Sequence, residues 1–147
     1  LLDDAYVGGI LHDIGKIIFS TVHPELLEKI TRFCNEKEFE HNIMEELSAG
    51  LNHAVIGGMI AEKWNFPPPL VEAIKYHHIP ESCSRDCRDV VNTVYLANAM
   101  SNIETGEMTF DHIDTRIMLD FGIQTEEQFM MIQGRLSEAF DADSPDF

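Results

Sequence analysis

Apolar residues crowd the first twenty positions and then settle into helical spacing for the rest of the chain. Between Ala5 and Phe19 the run AYVGGILHDIGKIIF is broken only by His12, Asp13 and Lys16. This pattern predicts one helix from about Asp3 to Phe19, apolar on all sides and therefore buried. In HPELLEKITRFCNEKE the apolar positions Leu26, Leu27, Ile30 and Phe33 recur at helical intervals. Glu25, Glu28, Lys29 and Glu36 mark the wet side of that helix, and Pro24 suits its first turn. A third helix is expected from about His41 to Ala49, carrying Ile43, Met44 and Leu47 and stopped by Gly50. Asn52 is a good N-cap for HAVIGGMIAEKWNF. On that helix His53, Ile56, Ile60 and Trp64 are expected on one face, with Gly57 and Gly58 permitting close packing. Pro67, Pro68 and Pro69 punctuate the chain before PLVEAIKYHHIP. The spacing of Leu70, Val71 and Ile74 continues onto His77 and His78, so both imidazoles are expected to point inward until Pro80 stops the helix.

Further on, DVVNTVYLANAMSNI places Val91, Val94 and Asn98 on one face, with Gly106 as its end. FDHIDTRIMLDFGI and TEEQFMMIQGRLSEAF read as two more amphipathic helices, the second opened by Thr125, Glu126 and Glu127. No alternating strand pattern and no repeat is present, so the fold class is all-α. Leu11, Ile14, Ile56, Ile60, Leu70 and Ile74 are expected core, as are Trp64, Met59, Met100, Met118, Met130 and Met131. His23, His41 and His112 stand in polar contexts and are expected at the surface.

The 147 residues suffice for one domain, placed at 1–140, with a flexible tail at 141–147. The formal net charge of -16 changes the picture more. It repels phosphate backbones and anionic lipid, which argues against a nucleic-acid or membrane partner. A phosphorylated ligand would need a local positive centre such as Lys16 or a metal. Three cysteines do not make a disulfide framework, and Cys83 with Cys87 is half a zinc site. Free thiols, no membrane-length apolar run and no signal peptide give a cytoplasmic expectation. The chain opens inside its apolar helix, so covering helices are expected upstream.

Four inward polar positions on separate helices remain: His12–Asp13, His53, His77–His78 and Asn98. Imidazole and carboxylate are the usual ligands of zinc, iron and manganese, and a helical core is a common place to assemble them. The alternative is a set of buried hydrogen-bonded groups, since an unsatisfied buried polar group costs about 2–7 kcal/mol.

ILHDIGK, NHAVIGGMIAEKWNFP and LVEAIKYHHIPE, taken in this order, resemble the HDOD group of the HD-domain superfamily of metal-dependent phosphohydrolases. The resemblance spans roughly Ala5 to Met100. It implies a compact HD-type helical bundle. It also implies a metal position built on His12–Asp13, a histidine upstream of Leu1 and a late aspartate, where this chain has Asn98 in LANAM. A second position would use Asp13, His53, His77 and His78. The GYP loop of the cyclic-dinucleotide phosphodiesterases is absent after His78. Lys16 resembles a phosphate-contacting lysine, against the reading of a lysine reaching for water. The implied role is a bacterial signalling output or scaffold domain that acts through protein contacts, with other signalling proteins or an attached sensor or receiver domain. On that reading there is no turnover, and the cofactor is a divalent metal (Fe, Mn, Zn or Mg) or none. The alternative is a metal-dependent phosphohydrolase acting on a nucleotide or cyclic dinucleotide, with His12, Asp13 and Lys16 as catalytic candidates. A metal-stabilised structural domain is the third reading.

Overall fold

The computed structural model describes the backbone of residues 2–22, 24–37 and 41–143, with side chains over the same ranges except 33–37, 41–42, 47 and 141–143. Among these residues the chain is helical and carries no strand. The expectations for His23, for the side chains of Phe33, Cys34, His41 and Leu47, and for residues 144–147 lie outside the described residues.

The contacts group the chain into two units, Leu1–Asn98 and Ala99–Phe147. The first contains α1 (Leu2–Leu11), α2 (Ile14–Val22), α3 (Pro24–Lys37), α4 (His41–Ala49), α5 (His53–Lys63) and α6 (Pro68–Tyr76), then short 3-10 turns at Pro80–Ser82 and Arg85–Cys87. Helix α7 (Arg88–Thr105) runs on from there.

The single helix expected from Asp3 to Phe19 is two helices, broken at His12–Asp13. The imidazole causes this locally. His12 Nδ1–H donates to the Gly9 carbonyl at 2.7 Å, an acceptor that an unbroken helix would pair with the Asp13 N–H. Nor is the segment buried on all sides. Tyr6, Ile10, Ile17 and Val22 are exposed, and only Gly8, Gly15 and Phe19 of α1 and α2 are fully buried.

The reason lies in how α5 packs. Its buried face is His53 together with Ala54, Gly57, Gly58 and Ala61, the four smallest residues it has. A Cβ on Gly57 would lie 2.8 Å from Ile74 Cγ2, and one on Gly58 2.8 Å from Lys75 Cβ. A Cβ on Gly15 would run into the His53 carbonyl oxygen. Helices α2 and α5 therefore touch backbone to backbone, the Ile74 and Lys75 side chains of α6 lie directly on the α5 glycines, and the bulky residues of α5 are turned to the flanks. Ile56 and Ile60 are half-buried, while Met59 and Trp64 are exposed, which corrects their placement in the core. Leu70 and Ile74 are buried; Leu11 and Ile14 are half-buried.

Among the described residues, three apolar clusters pack within this unit. Phe19 and Ile30 pack with Leu26, Leu27, Met44 and Ile56. Ala61, Val71 and Ile74 pack with Leu11, Ile14 and Phe66. Ala73, Cys83, Cys87, Val90, Val91 and Val94 pack with Ala5 and Tyr76. Cys83 and Cys87 are free and buried, and burial pushes both thiols up, away from a reactive thiolate.

The second unit contains the end of α7, a 3-10 turn at Phe110–His112, α8 (Thr115–Asp120) and α9 (Glu126–Asp143). Asp114 caps α8 through the Arg116 N–H, and Thr125 Oγ1 accepts from the Gln128 N–H at the start of α9. Met100, Ile113, Ile117, Met118, Ile123 and Phe129 are buried. Gln133 Nε2 donates to the Met100 carbonyl at 2.7 Å. Met130 and Met131 are exposed, so they too leave the expected core. His112 is exposed as expected. Helix α9 carries helical backbone to Asp143, into the segment expected to be flexible.

Candidate metal centre

The break between α1 and α2 turns His12 and Asp13 toward the first residue of α5 and the end of α6. His77 and His78 stand just past α6, in the turn that leaves it rather than on the helix. The structure thus brings together His12, Asp13, His53, His77 and His78. His53 and His77 are 1% and 0% exposed, and His12, Asp13 and His78 are half-buried.

The rings are close. Centroids lie 4.8 Å apart for His12 and His77, 4.1 Å for His77 and His78, 5.0 Å for His53 and His78, and 5.4 Å for His53 and His77. Three of them have the same nitrogen occupied. Nδ1–H donates to the Gly9 carbonyl in His12 (2.7 Å), to Glu45 Oε2 in His53 (2.7 Å) and to the Ile74 carbonyl in His77 (2.8 Å). Those acceptors assign the tautomer, and they leave Nε2 of each neutral ring with a lone pair. His53 Nε2 is 3.4 Å from His77 Nε2 and 3.0 Å from His78 Nε2. It is 3.2 Å from Asp13 Oδ1, while His77 Nε2 is 3.8 Å from the same oxygen. His12 Nε2 faces Asp13 Oδ2 at 3.4 Å.

The lone pairs of His53 and His77 Nε2, facing each other at 3.4 Å, are satisfied by a proton or a positive centre between neighbouring donors. Asp13 Oδ1 makes the same demand: it is buried and has no hydrogen-bond donor. The 3.2 Å contact to His53 supplies none while the His53 proton sits on Nδ1. Donors sharing a tetrahedral ion at about 2.0–2.1 Å would stand about 3.3 Å apart, and the spacings around His53 Nε2 bracket that value. Two donor groups converge, His53–His77–His78 and His12–Asp13–His77, with His77 in both. The cluster is compatible with a metal site. Hydrogen bonding of the unused ring nitrogens is also the usual support for ligand histidines.

The electrostatics agree. Burial opposes charge on Asp13, but the His53 ring beside it, the bond from Lys16 and the nearby positive groups hold its pKa well below the usual carboxylate range. Burial and neighbouring imidazoles push His77 far down and His78 down to about 3, keeping both neutral. Burial alone would lower His53 as well; its flanking acids Asp13 and Glu45 outweigh that and raise it. In the absence of a metal, protonating His53 is the route by which Asp13 Oδ1 gains a donor.

Lys16 is at the rim. Its Nζ donates to Asp13 Oδ2 at 2.7 Å, and the side chain is 46% exposed. Asn98 lies on α7, half-buried. Glu45 escaped the sequence reading. It is 1% exposed on α4, and one of two adjacent acids in an otherwise ordinary amphipathic segment gives no motif. Helical spacing of Ile43, Met44 and Leu47 puts Glu45 nearly opposite the face expected to be apolar, so periodicity gave no signal for it.

Comparison with known proteins fits this arrangement. The HDOD domain profile matches residues 2–80, more than half of the 147 and every clustered residue. An "Uncharacterized protein" of Treponema pallidum (strain Nichols) is 29% identical over 143 residues, which is 97% of this chain and 28% of that protein. The chain thus spans less than a third of that relative. The crystal structure of "Putative phosphohydrolase from Shewanella amazonensis SB2B" superposes with a TM-score of 0.68 at 23% identity, covering 94% of this chain and 51% of the other. That likeness carries the fold. The sequence profile, the helical architecture and the His12–Asp13 turn converge on one assignment: the chain belongs to the HDOD domain family.

Proposed function

We propose that this chain is a bacterial, cytoplasmic signalling module that works as an output or scaffold domain through protein contacts. Its His12, Asp13, His53, His77 and His78 hold one divalent ion without turnover. The partners are an attached sensor or receiver domain or other signalling proteins. The imidazole-rich donor set favours zinc, iron or manganese over magnesium, which prefers oxygen. When bound, the ion supplies Lewis acidity. The protein's own part is to keep His77 and His78 neutral, to aim all four imidazoles, and to hold the ion against the turn between α1 and α2.

The observation that carries the non-catalytic reading is the charge of the donor set. Asp13 is the one carboxylate in it, and its Oδ2 is already engaged by Lys16 at 2.7 Å. Asn98 offers a neutral amide where the resemblance expects an acid. One net negative group supports a single ion far better than two, whose mutual repulsion needs several anionic ligands. The test is turnover of simple phosphoesters and cyclic dinucleotides with added manganese or iron. Wild type, His12→Ala and Asp13→Ala are expected to share one background rate. Metal-dependent hydrolysis in wild type that vanishes in both variants would overturn this reading.

That result would promote the second reading, a metal-dependent phosphohydrolase. One observation favours it: the cluster opens to solvent along Asp13 and Lys16, with side chains 36% and 46% exposed. A phosphate could approach there and meet a cation.

A further inference from the structure

We propose that Glu45 is a positioning residue for this site: its carboxylate decides which nitrogen of His53 carries the proton and where the other nitrogen points. The inference rests on the metal-holding reading only for its consequence in affinity. Among the described residues Glu45 is the one fully buried acid, on a helix whose neighbouring Met44 joins an apolar cluster. An apolar residue would fill that place at less desolvation cost, so the carboxylate is there for its bonds. Both known bonds go to one residue. Oε2 accepts from the His53 backbone N–H and from His53 Nδ1–H, each at 2.7 Å.

Capping alone does not account for the pair. Helix α5 already has its N-cap in Asn52, whose side chain accepts from the Val55 N–H. The bond to Nδ1 adds nothing to a cap, and it fixes the ring. The other end of His53 is clamped as well, because α2 crosses at Gly15 with no room for a Cβ beside the His53 carbonyl. Held on both sides, the ring presents Nε2 to Asp13 Oδ1 at 3.2 Å, His78 Nε2 at 3.0 Å and His77 Nε2 at 3.4 Å. A carboxylate behind a ligand imidazole also raises its basicity as a donor.

The experiment uses two readouts on the whole chain. Long-range proton–nitrogen NMR spectra of metal-free protein at about pH 9, well above the ordinary imidazole pKa, report the His53 tautomer. Zinc titration against a competing chelator reports affinity. Wild type is expected to show the proton on Nδ1. Glu45→Leu is expected to show a mixture or the other tautomer, with zinc affinity weaker by about 10–100-fold. Glu45→Gln keeps an acceptor oxygen but loses the charge, so it is expected to retain the tautomer and fall between the two in affinity. A wild-type His53 protonated on Nε2 would overturn the proposal without any variant, even if Glu45→Leu fails to fold. An unchanged tautomer and affinity in Glu45→Leu would overturn it too, with the metal reading intact. Wild type that takes up no zinc would instead remove the metal reading, and the tautomer comparison would still decide the role of Glu45.

Discussion

At the scale of single residues, His78 shows how the site is coupled to pH. Burial and then the charge of His53 lower its pKa from 6.5 to about 3. A base with a depressed folded pKa takes up its proton mainly in the unfolded chain. Below about pH 6.5 the unfolded state therefore binds more protons, and stability falls as pH falls towards about 3. His77 pulls in the same direction. His53 is raised, so its contribution is present below pH 6.5 and is lost as pH rises through its folded value. Asp13 is lowered from 3.8, so its contribution is present above that value and is lost as pH drops further. Denaturation of chelator-treated protein from pH 7 to pH 4 is expected to show a steep loss. His78→Gln should flatten it by about one proton per molecule unfolded. Equal slopes would show that His78 is not held neutral by the fold. His12, Asp13, His77 and His78 were legible in the sequence because charged or ring residues stood inside apolar runs. Glu45 was not, since its partner is eight residues away and its surroundings are unremarkable for a helix.

At the scale of elements, the glycines decide how closely the helices approach. Gly15→Ala puts a methyl into the His53 carbonyl and should cost about 1–3 kcal/mol or more, since neither backbone can move freely. Gly9→Ala meets nothing within 4 Å and should stabilise α1 by about 0.5–1 kcal/mol. Urea denaturation of both variants checks the pair, and similar effects at the two sites would contradict the crossing. Ile74→Ala, fully buried on α6, should cost about 2–5 kcal/mol. Ile17→Ala, exposed on α2, should cost less than about 0.5 kcal/mol. The helical spacing of α5 and α6 was readable from their periodicity. The break after Leu11 was not, because no proline or helix-stopping turn announces it; a side chain competing for the Gly9 carbonyl does. The orientation of α5 was misjudged for a related reason. Periodicity favoured the face with Ile56, Ile60 and Trp64, whereas burying Gly57, Gly58 and Ala61 lets the α2 backbone and the α6 side chains approach α5 closely.

At the scale of the whole molecule, a charge of -16 favours any cation that finds specific donors. A divalent ion that binds the folded chain alone should raise the unfolding midpoint, by an amount worth about 2.7 kcal/mol at a hundredfold excess over its dissociation constant. The central claim is that one ion sits among the five clustered side chains, and His77 is the residue both donor groups share. The most direct measurement is metal stoichiometry by mass spectrometry after reconstitution with zinc, manganese or iron and removal of excess ion, in wild type and in folded His77→Gln. The account predicts about one ion per chain in wild type and a small fraction of that in the variant. No retained ion in wild type, or the same content in His77→Gln, would contradict it.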